Sequence, residues 1–352
     1  MSATEGKKKP GALLWVVVIA LFAALLWWLH GHVVFNWREL GRQLRGVSVV
    51  YAAAAIGLIY FSFWLRGVRW AILLAPVKKA SAAELVPPQL IGFTAVALIG
   101  RIADLTRPYL IARRMKVSVA SQLAIYSVER AFDLGAAAIL FSVTLAFAPR
   151  DLPHHSAYMR AGALSLAATL FIVVFAVALR MAGERVAGIL RRAVAPLSKN
   201  VAEKVAERVL DFREGLKTVS SLGEFGAALA VSLVMWGGIA GCYLLTAHAF
   251  VGDPVLGHLS FTAMMLVFAT SLGGSLLQLP VLGWFTQIAL IAAAFHGFFG
   301  VRIETATACS ALLLFDTTLC IVPAGLIAAR MQGTSLRAAV RESEAVAVDG
   351  GV

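Results

Sequence analysis

The chain has 352 residues, 60% of them hydrophobic and only 14% charged, with a mean hydropathy of +0.83. A soluble protein carries roughly a quarter charged residues, so this composition excludes an ordinary soluble domain and indicates a polytopic membrane protein. The formal charge of +12 does not indicate a nucleic-acid partner, because the basic residues cluster between apolar spans as positive-inside topology produces; the excess suits anionic lipid headgroups.

Lys7, Lys8 and Lys9 precede an apolar run that ends in Trp27 and Trp28. The run is too long for the apolar core of a signal peptide and lacks a small-x-small cleavage site, so a retained first helix is expected. Stretches of spanning length lie at residues 13–29, 47–65, 119–147, 162–179, 225–250 and 305–329, each expected to be helical because a bilayer offers no water to unpaired backbone groups. Two further apolar regions look broken. Residues 85–100 contain Pro87-Pro88 and end at Gly100, and residues 259–299 are interrupted by Gly273-Gly274, Pro280 and Gly283. Both are expected to be re-entrant pieces enclosed by protein or by a cavity.

The expected fold class is therefore all-α, a polytopic integral membrane protein with about eight membrane helices including two broken elements. Residues 1–331 form one membrane domain. Within it, 184–217 carry mixed charges around Val186, Ile189, Leu190, Val201, Val205 and Val209, with Pro196 as an interruption. This pattern predicts an amphipathic cytoplasmic connector. Residues 332–352 are expected to be a short, frayed cytoplasmic tail. No soluble catalytic domain is expected after the membrane part.

Basic residues set the orientation. The N-terminal lysines place the start in the cytoplasm, and Arg66, Arg69, Lys78 and Lys79 are expected to flank the return of the second helix there. Arg113, Arg114 and Lys116, the 184–217 stretch, and Arg330, Arg337 and Arg341 mark the same side. Both termini are then cytoplasmic, in a bacterial-type cell membrane. Arg38, Arg42 and Arg45 on the outer side are the exception. One broken element enters from each side, and each precedes a long helix, which is the pattern of an inverted repeat around a midplane site.

The chemistry concentrates between the first broken element and the helix after it. Arg101, Asp104 and Arg107 recur at i, i+3 and i+6, on one side of a helix. Glu129 and Asp133 are four apart, with Arg130 within reach of Asp133. Charged side chains inside apolar segments are costly and face partners or wet cavities, which makes these six a candidate lipid-headgroup site. Guanidinium groups bind phosphate oxygens bidentately. The alternative is that the ions only staple the broken element to the next helix.

Secondary cavity candidates are Gln278 and Gln287, which flank the Pro280–Gly283 break, and Asp316 in the last long helix. Asp316 is expected to be either a gating carboxylate or an acid bonded to neighbouring hydroxyls beside Thr317 and Thr318. Gln89, beside Pro87-Pro88, either lines the cavity or serves freed backbone groups. Gly237 and Gly241 form a GxxxG step for close helix packing. Cys242, Cys309 and Cys320 lie in apolar segments without metal-ligand spacing, and His154-His155 has no nearby carboxylate or cysteine, so neither a metal nor a disulfide framework is expected. No cofactor is expected either.

The stretch Gly100-Arg101-Ile102-Ala103-Asp104-Leu105-Thr106-Arg107-Pro108-Tyr109-Leu110, with Val128-Glu129-Arg130 and Asp133 after it, resembles the signature of the flippase-like family, the lysylphosphatidylglycerol synthase transmembrane region. Its usual pattern is G-R-x-G-E-x-x-R-P followed by V-E-R-x-x-D. Here Ala103 and Asp104 replace a glycine and a glutamate. In the second half, relatives carry a P-G-G-x-G turn and an acid, where this chain has Pro280-Val281-Leu282-Gly283 and Gln287. The resemblance therefore does not carry ion coupling through that second element.

What the resemblance implies is flippase-like translocation of a polar or anionic lipid, phospho- or polyprenyl-linked. Its partners would be membrane lipids and a separately encoded lipid-modifying enzyme. No nucleotide-binding motif is evident, so movement would be downhill, ion-coupled or partner-driven. Two alternatives come from other classes. One is a membrane-embedded transferase using Glu129 or Asp133 as general base; the other is a non-transporting scaffold of a lipid-synthesis complex.

Overall fold

The computed structural model describes residues 36–146, 155–196, 198–199, 201–207, 221–274 and 282–349. The expected first span at 13–29, Gln278 and Pro280 lie outside the described residues.

The described elements are helical throughout. The short polar α1 (Trp37–Arg45) starts at Asn36, whose side chain accepts from the Arg38 and Glu39 backbone N–H groups. The next helix, α2 (Val49–Leu74), has 26 residues. At 1.5 Å per residue it is about 39 Å long, enough to cross a hydrocarbon core of about 30 Å. It continues well past the expected end at residue 65.

Helix α3 (Ala82–Ile99) opens on a reciprocal cap between Ser81 and Glu84 and runs unbroken through Pro87 and Pro88. The expected break at the proline pair does not occur. Both fall in the second turn, where each removes one backbone donor but keeps a helical φ, and packing against neighbouring helices carries the helix across them. The break comes at Gly100, whose φ of 96° strains any residue with a Cβ. A 3₁₀ turn (Arg101–Leu105) and α4 (Thr106–Met115) then double back along α3. Gly92 leaves no room for a Cβ against the Arg107 side chain. Lys78 Nζ donates to the Met115 carbonyl at 2.7 Å, so the two ends of this hairpin meet.

Helix α5 (Val119–Ala146) has 28 residues, with Glu129, Arg130 and Asp133 in its middle. After it, α6 (His155–Val194) has 40 residues, about 60 Å and twice the hydrocarbon thickness. The first part of the expected connector is thus continuous with a membrane helix. The second half comprises α7 (Leu222–His248), α8 (Phe261–Gly274), α9 (Leu282–Phe299) and α10 (Ile303–Leu314). A π-helical turn (Phe315–Leu319) and α11 (Val322–Met331) follow. Pro323 cannot donate to the carbonyl four residues back, and the wider turn fits this, with the Cys320 N–H reaching the Phe315 carbonyl at 2.8 Å.

The last helix, α12 (Leu336–Asp349), corrects the expectation of a frayed tail. Ala339 and Val340 are buried. Glu342 accepts from the Tyr109 hydroxyl at 2.8 Å and from Arg113 at 2.9 Å. Apolar residues on one face of the tail seat it on the α3–α4 hairpin.

Among the described residues, 49–74, 82–99, 223–248 and 303–331 are long and apolar enough to cross a membrane, with shorter apolar helices at 162–171, 261–272 and 283–299. Helix α5 has the length as well, but carries charge at its centre. The protein is a polytopic, all-helical membrane protein.

At its centre α2 and α7 run antiparallel. Ser48 N–H donates to Ala249 O at 2.8 Å, Ser62 Oγ lies 3.3 Å from Met235 O, and Arg69 reaches Ser232 Oγ at 2.9 Å. The close approach uses Gly238 and Gly241, where an added Cβ would sit 3.1 Å from the Ser62 and Leu58 side chains; Gly237 faces open space. The packing step is therefore Gly238 with Gly241, not the expected pair.

A buried arginine–carboxylate cluster beside a central cavity

Four arginines from three elements converge on two carboxylates of α5. Glu129 is completely buried. Its Oε1 accepts from Arg69 at 2.7 Å, and its Oε2 accepts from Arg107 at 3.0 Å and Arg130 at 3.3 Å. Asp133 Oδ1 accepts from Arg69 at 2.7 Å and from the Trp236 indole N–H at 3.0 Å, while Oδ2 lies 3.0 Å from Arg130. Arg66 stands 3.8 Å from both carboxylates.

Spacing explains the convergence. Glu129 and Asp133 are one helical turn apart on α5 and face α2, where Ser62, Arg66 and Arg69 lie at i, i+4 and i+7 on one face. Arg107 enters from the hairpin. It donates to Gln89 Oε1 at 3.0 Å and its guanidinium lies 4.4 Å from the Phe93 ring centroid and 5.2 Å from that of Tyr126. Tyr126 donates to Asp104 Oδ2 at 2.6 Å, and Asp104 lies 3.6 Å from Arg107. Asp104 is thus the outer edge of the cluster. Counting it, four guanidinium groups face three carboxylates, leaving one positive charge in excess.

Several cluster donors have no hydrogen-bond partner: Arg66 Nη1, Arg69 Nε, Arg107 Nε and Nη2, and Arg130 Nε. A buried guanidinium N–H without an acceptor is costly, so the cluster as it stands has spare capacity for an anion or for water.

Arg66 connects the cluster to a cavity of about 240 Å³ between the two halves of the molecule. Its walls include Ser62, Tyr243, Ser271, Gln287, Thr317 and Thr318 on the polar side. Phe63, Phe93, Trp236 and Phe268 supply the aromatic side. The Arg66 guanidinium sits 4.8 Å from the Phe93 ring centroid, held by cation–π attraction as well as by charge. Trp236 both lines the cavity and donates to Asp133, making a second link between the two.

The structure thus joins Arg107, Glu129, Arg130 and Asp133 of the expected set, with Asp104 at the rim. Arg101 is exposed at the start of the 3₁₀ turn, and the buried ion pairs are made by other arginines. Two of those, Arg66 and Arg69, were expected in the cytoplasmic flank. They lie instead inside α2, Arg69 fully buried and Arg66 only 8% exposed, because the carboxylates of α5 offer them partners there. The apolar run Trp70-Ala71-Ile72-Leu73-Leu74 after Arg69 is the signal that could have placed them within the span. Gln287 is buried on the cavity wall, 3.4 Å from Ser271 Oγ. Asp316 is also buried, beside Thr246 of α7 rather than on the wall itself. Gln89 serves Arg107, a third role beyond the two considered.

Residues 15–325 match the family model described as lysylphosphatidylglycerol synthase TM region. The chain belongs to this family. No curated protein and no solved structure matches it. Family membership associates the membrane domain with lipid modification or translocation.

Proposed function

We propose that this member of the family translocates a lipid with an anionic, phospho- or polyprenyl-linked headgroup, and that Arg66 is the arm that meets the headgroup. The supporting observation is the placement of Arg66: buried, on the wall of the central cavity, and held to Glu129 and Asp133 only by ion pairs of 3.8 Å without a hydrogen bond, in a cluster that carries excess positive charge. Arg69 and Arg107 lock Glu129 and Asp133, and those carboxylates in turn hold Arg66 and Arg130 in place. The cavity volume lies just below the ~300–1,000 Å³ of sites that enclose whole small molecules. It suits a headgroup whose acyl chains stay in lipid.

The α3–α4 and α8–α9 pairs act in this proposal as two re-entrant hairpins of an inverted repeat, entering from opposite sides with the cavity between them. The meeting of Lys78 with Met115 supports the first. Both termini are cytoplasmic in this arrangement, and the partners are membrane lipids together with a separately encoded lipid-modifying enzyme. The transferase alternative has less support. Each of the four oxygens of Glu129 and Asp133 faces an arginine, which leaves none placed to accept a substrate proton.

The test is leaflet exchange of fluorescent phosphatidylglycerol in proteoliposomes, read by quenching from outside. Wild-type protein is expected to expose the inner-leaflet probe several-fold faster than empty vesicles, and Arg66→Gln to return the rate toward theirs. A wild-type rate equal to that of empty vesicles, with this probe and with a polyprenyl phosphate, overturns the proposal.

A further inference from the structure

The second buried acidic site differs from the first in having no cation. Asp316 is completely buried in the π turn. Its Oδ2 lies 2.8 Å from Thr246 Oγ1, and its Oδ1 has no hydrogen-bond partner. No lysine, arginine or histidine among the described residues lies within ion-pair distance of it.

The hydrogen count at Thr246 bears on the protonation state. Thr246 Oγ1 is 2.9 Å from the Cys242 carbonyl and 2.8 Å from Asp316 Oδ2. A hydroxyl has one hydrogen to donate, and both of these neighbours are acceptors if Asp316 is ionised. One contact would then be unmade, beside a buried, uncompensated charge. With a proton on Oδ2 the chain closes: the acid donates to Thr246, and Thr246 donates to Cys242.

The surroundings fit a neutral acid. The titratable groups facing the turn are the Cys242 thiol from α7, the Cys309 thiol from α10 and the Cys320 thiol beside it. From α2, the Tyr60 hydroxyl donates to the Cys320 carbonyl at 2.8 Å. Helix α3 brings Thr94, 3.5 Å from the Ile321 carbonyl. Asp253, in the loop after α7, accepts from the Val255 and Leu256 backbone N–H groups at 2.9 Å.

We propose that Asp316 is a proton-binding site of the translocator, held as the neutral acid through Thr246 and exchanging its proton when the π turn opens toward the cavity that Thr317 and Thr318 line. The same π turn supplies both Asp316 and the cavity-wall residues Thr317 and Thr318. A π turn is a local misfit in a helix and is frequent at functional sites. On release, the π turn opens toward the cavity, the Asp316 O–H bond breaks and the proton passes to a water admitted there. The resulting carboxylate then takes the Thr246 hydrogen, and the Cys242 carbonyl loses it. Uptake is the reverse. Protonation is thereby tied to the shape of the wall that the headgroup meets. The site follows from the hydrogen-bond geometry, and its purpose rests on the translocation proposal.

Two measurements separate these layers. The first is infrared spectroscopy of the purified protein in phosphatidylglycerol nanodiscs. At mildly acid pH it should show a protonated-carboxyl band that shifts in heavy water, fades as pH is raised, and is missing in Asp316→Asn. Thr246→Val should keep the acid but move its band, because the acid O–H loses its acceptor. A missing band at mildly acid pH, or one unmoved at every pH the folded protein survives, overturns the site. The second measurement imposes a pH gradient on the fluorescent phosphatidylglycerol exchange. Wild-type exchange should change several-fold with gradient direction, and Asp316→Asn should not respond. Exchange that ignores the gradient in the wild type overturns the coupling and leaves the translocator standing. If no exchange occurs at all, the translocation proposal falls, and the infrared band alone decides whether Asp316 binds a proton.

Discussion

Arg66 and Arg69 are one helical turn apart and carry the same charge, yet substitution should separate them cleanly. Arg69 is sealed between Glu129, Asp133 and Ser232, so Arg69→Met leaves buried carboxylates without their shortest partner. Breaking a buried ion pair from one side costs about 3–5 kcal/mol, and thermal unfolding in detergent should show a destabilisation of that size. Arg66 makes only the longer contacts, at 3.8 Å. Arg66→Gln should unfold near the wild-type temperature while losing lipid exchange. Equal destabilisation by the two substitutions would remove the distinction between a locking and a headgroup-facing arginine. Arg107, Glu129, Arg130 and Asp133 were legible in the sequence because charges at helical spacing inside apolar segments need partners. Arg66 and Arg69 were not, because basic residues toward the end of an apolar run look like topology signals, and their partners lie about sixty positions further along, brought near only by tertiary packing.

At the scale of elements, close packing sets where the hairpin can sit. Gly325 on α11 lies against Thr94 and the Leu90 carbonyl, and a Cβ there would be 2.7 Å from that carbonyl. Gly325→Ala should therefore destabilise the protein by about 1–3 kcal/mol, the usual cost of overpacking. Unchanged thermal unfolding would mean that α3 and α11 separate more readily than their contacts indicate. By contrast, Arg113 and Glu342 are both substantially exposed, at 59% and 44%. A double-mutant cycle on this pair should give less than about 1 kcal/mol, with the tail held mainly by Ala339 and Val340. A larger coupling would show that charge seats α12. The long apolar helices and the stop at Gly100 were readable from hydropathy and from glycine's backbone freedom. The unbroken passage through Pro87-Pro88 and the docking of α12 were not, since both depend on neighbours that local pattern does not reveal.

Over the whole molecule, the arginine cluster and the Thr246–Asp316 pair lie in different halves of the chain. In each, a polar residue near the end of a long helix, Arg69 or Thr246, meets the acids on the long helix that follows the hairpin. One half has ionised carboxylates paired with arginines, and in our proposal the other half has a neutral acid. The contact between the halves was not legible in the sequence, because it joins helices far apart in the chain. The proposed cytoplasmic C-terminus predicts that a reporter enzyme active only in the cytoplasm works when fused after Val352, and that one active only outside does not; the opposite result would invert the assignment. The central claim, that Arg66 presents positive charge to a lipid headgroup in the cavity, is tested most directly by mass spectrometry of the lipids that co-purify with wild-type, Arg66→Gln and Arg101→Gln proteins. Anionic lipid should be retained by the wild type and by Arg101→Gln and depleted several-fold in Arg66→Gln; the same lipids in the same ratio in all three would contradict the account.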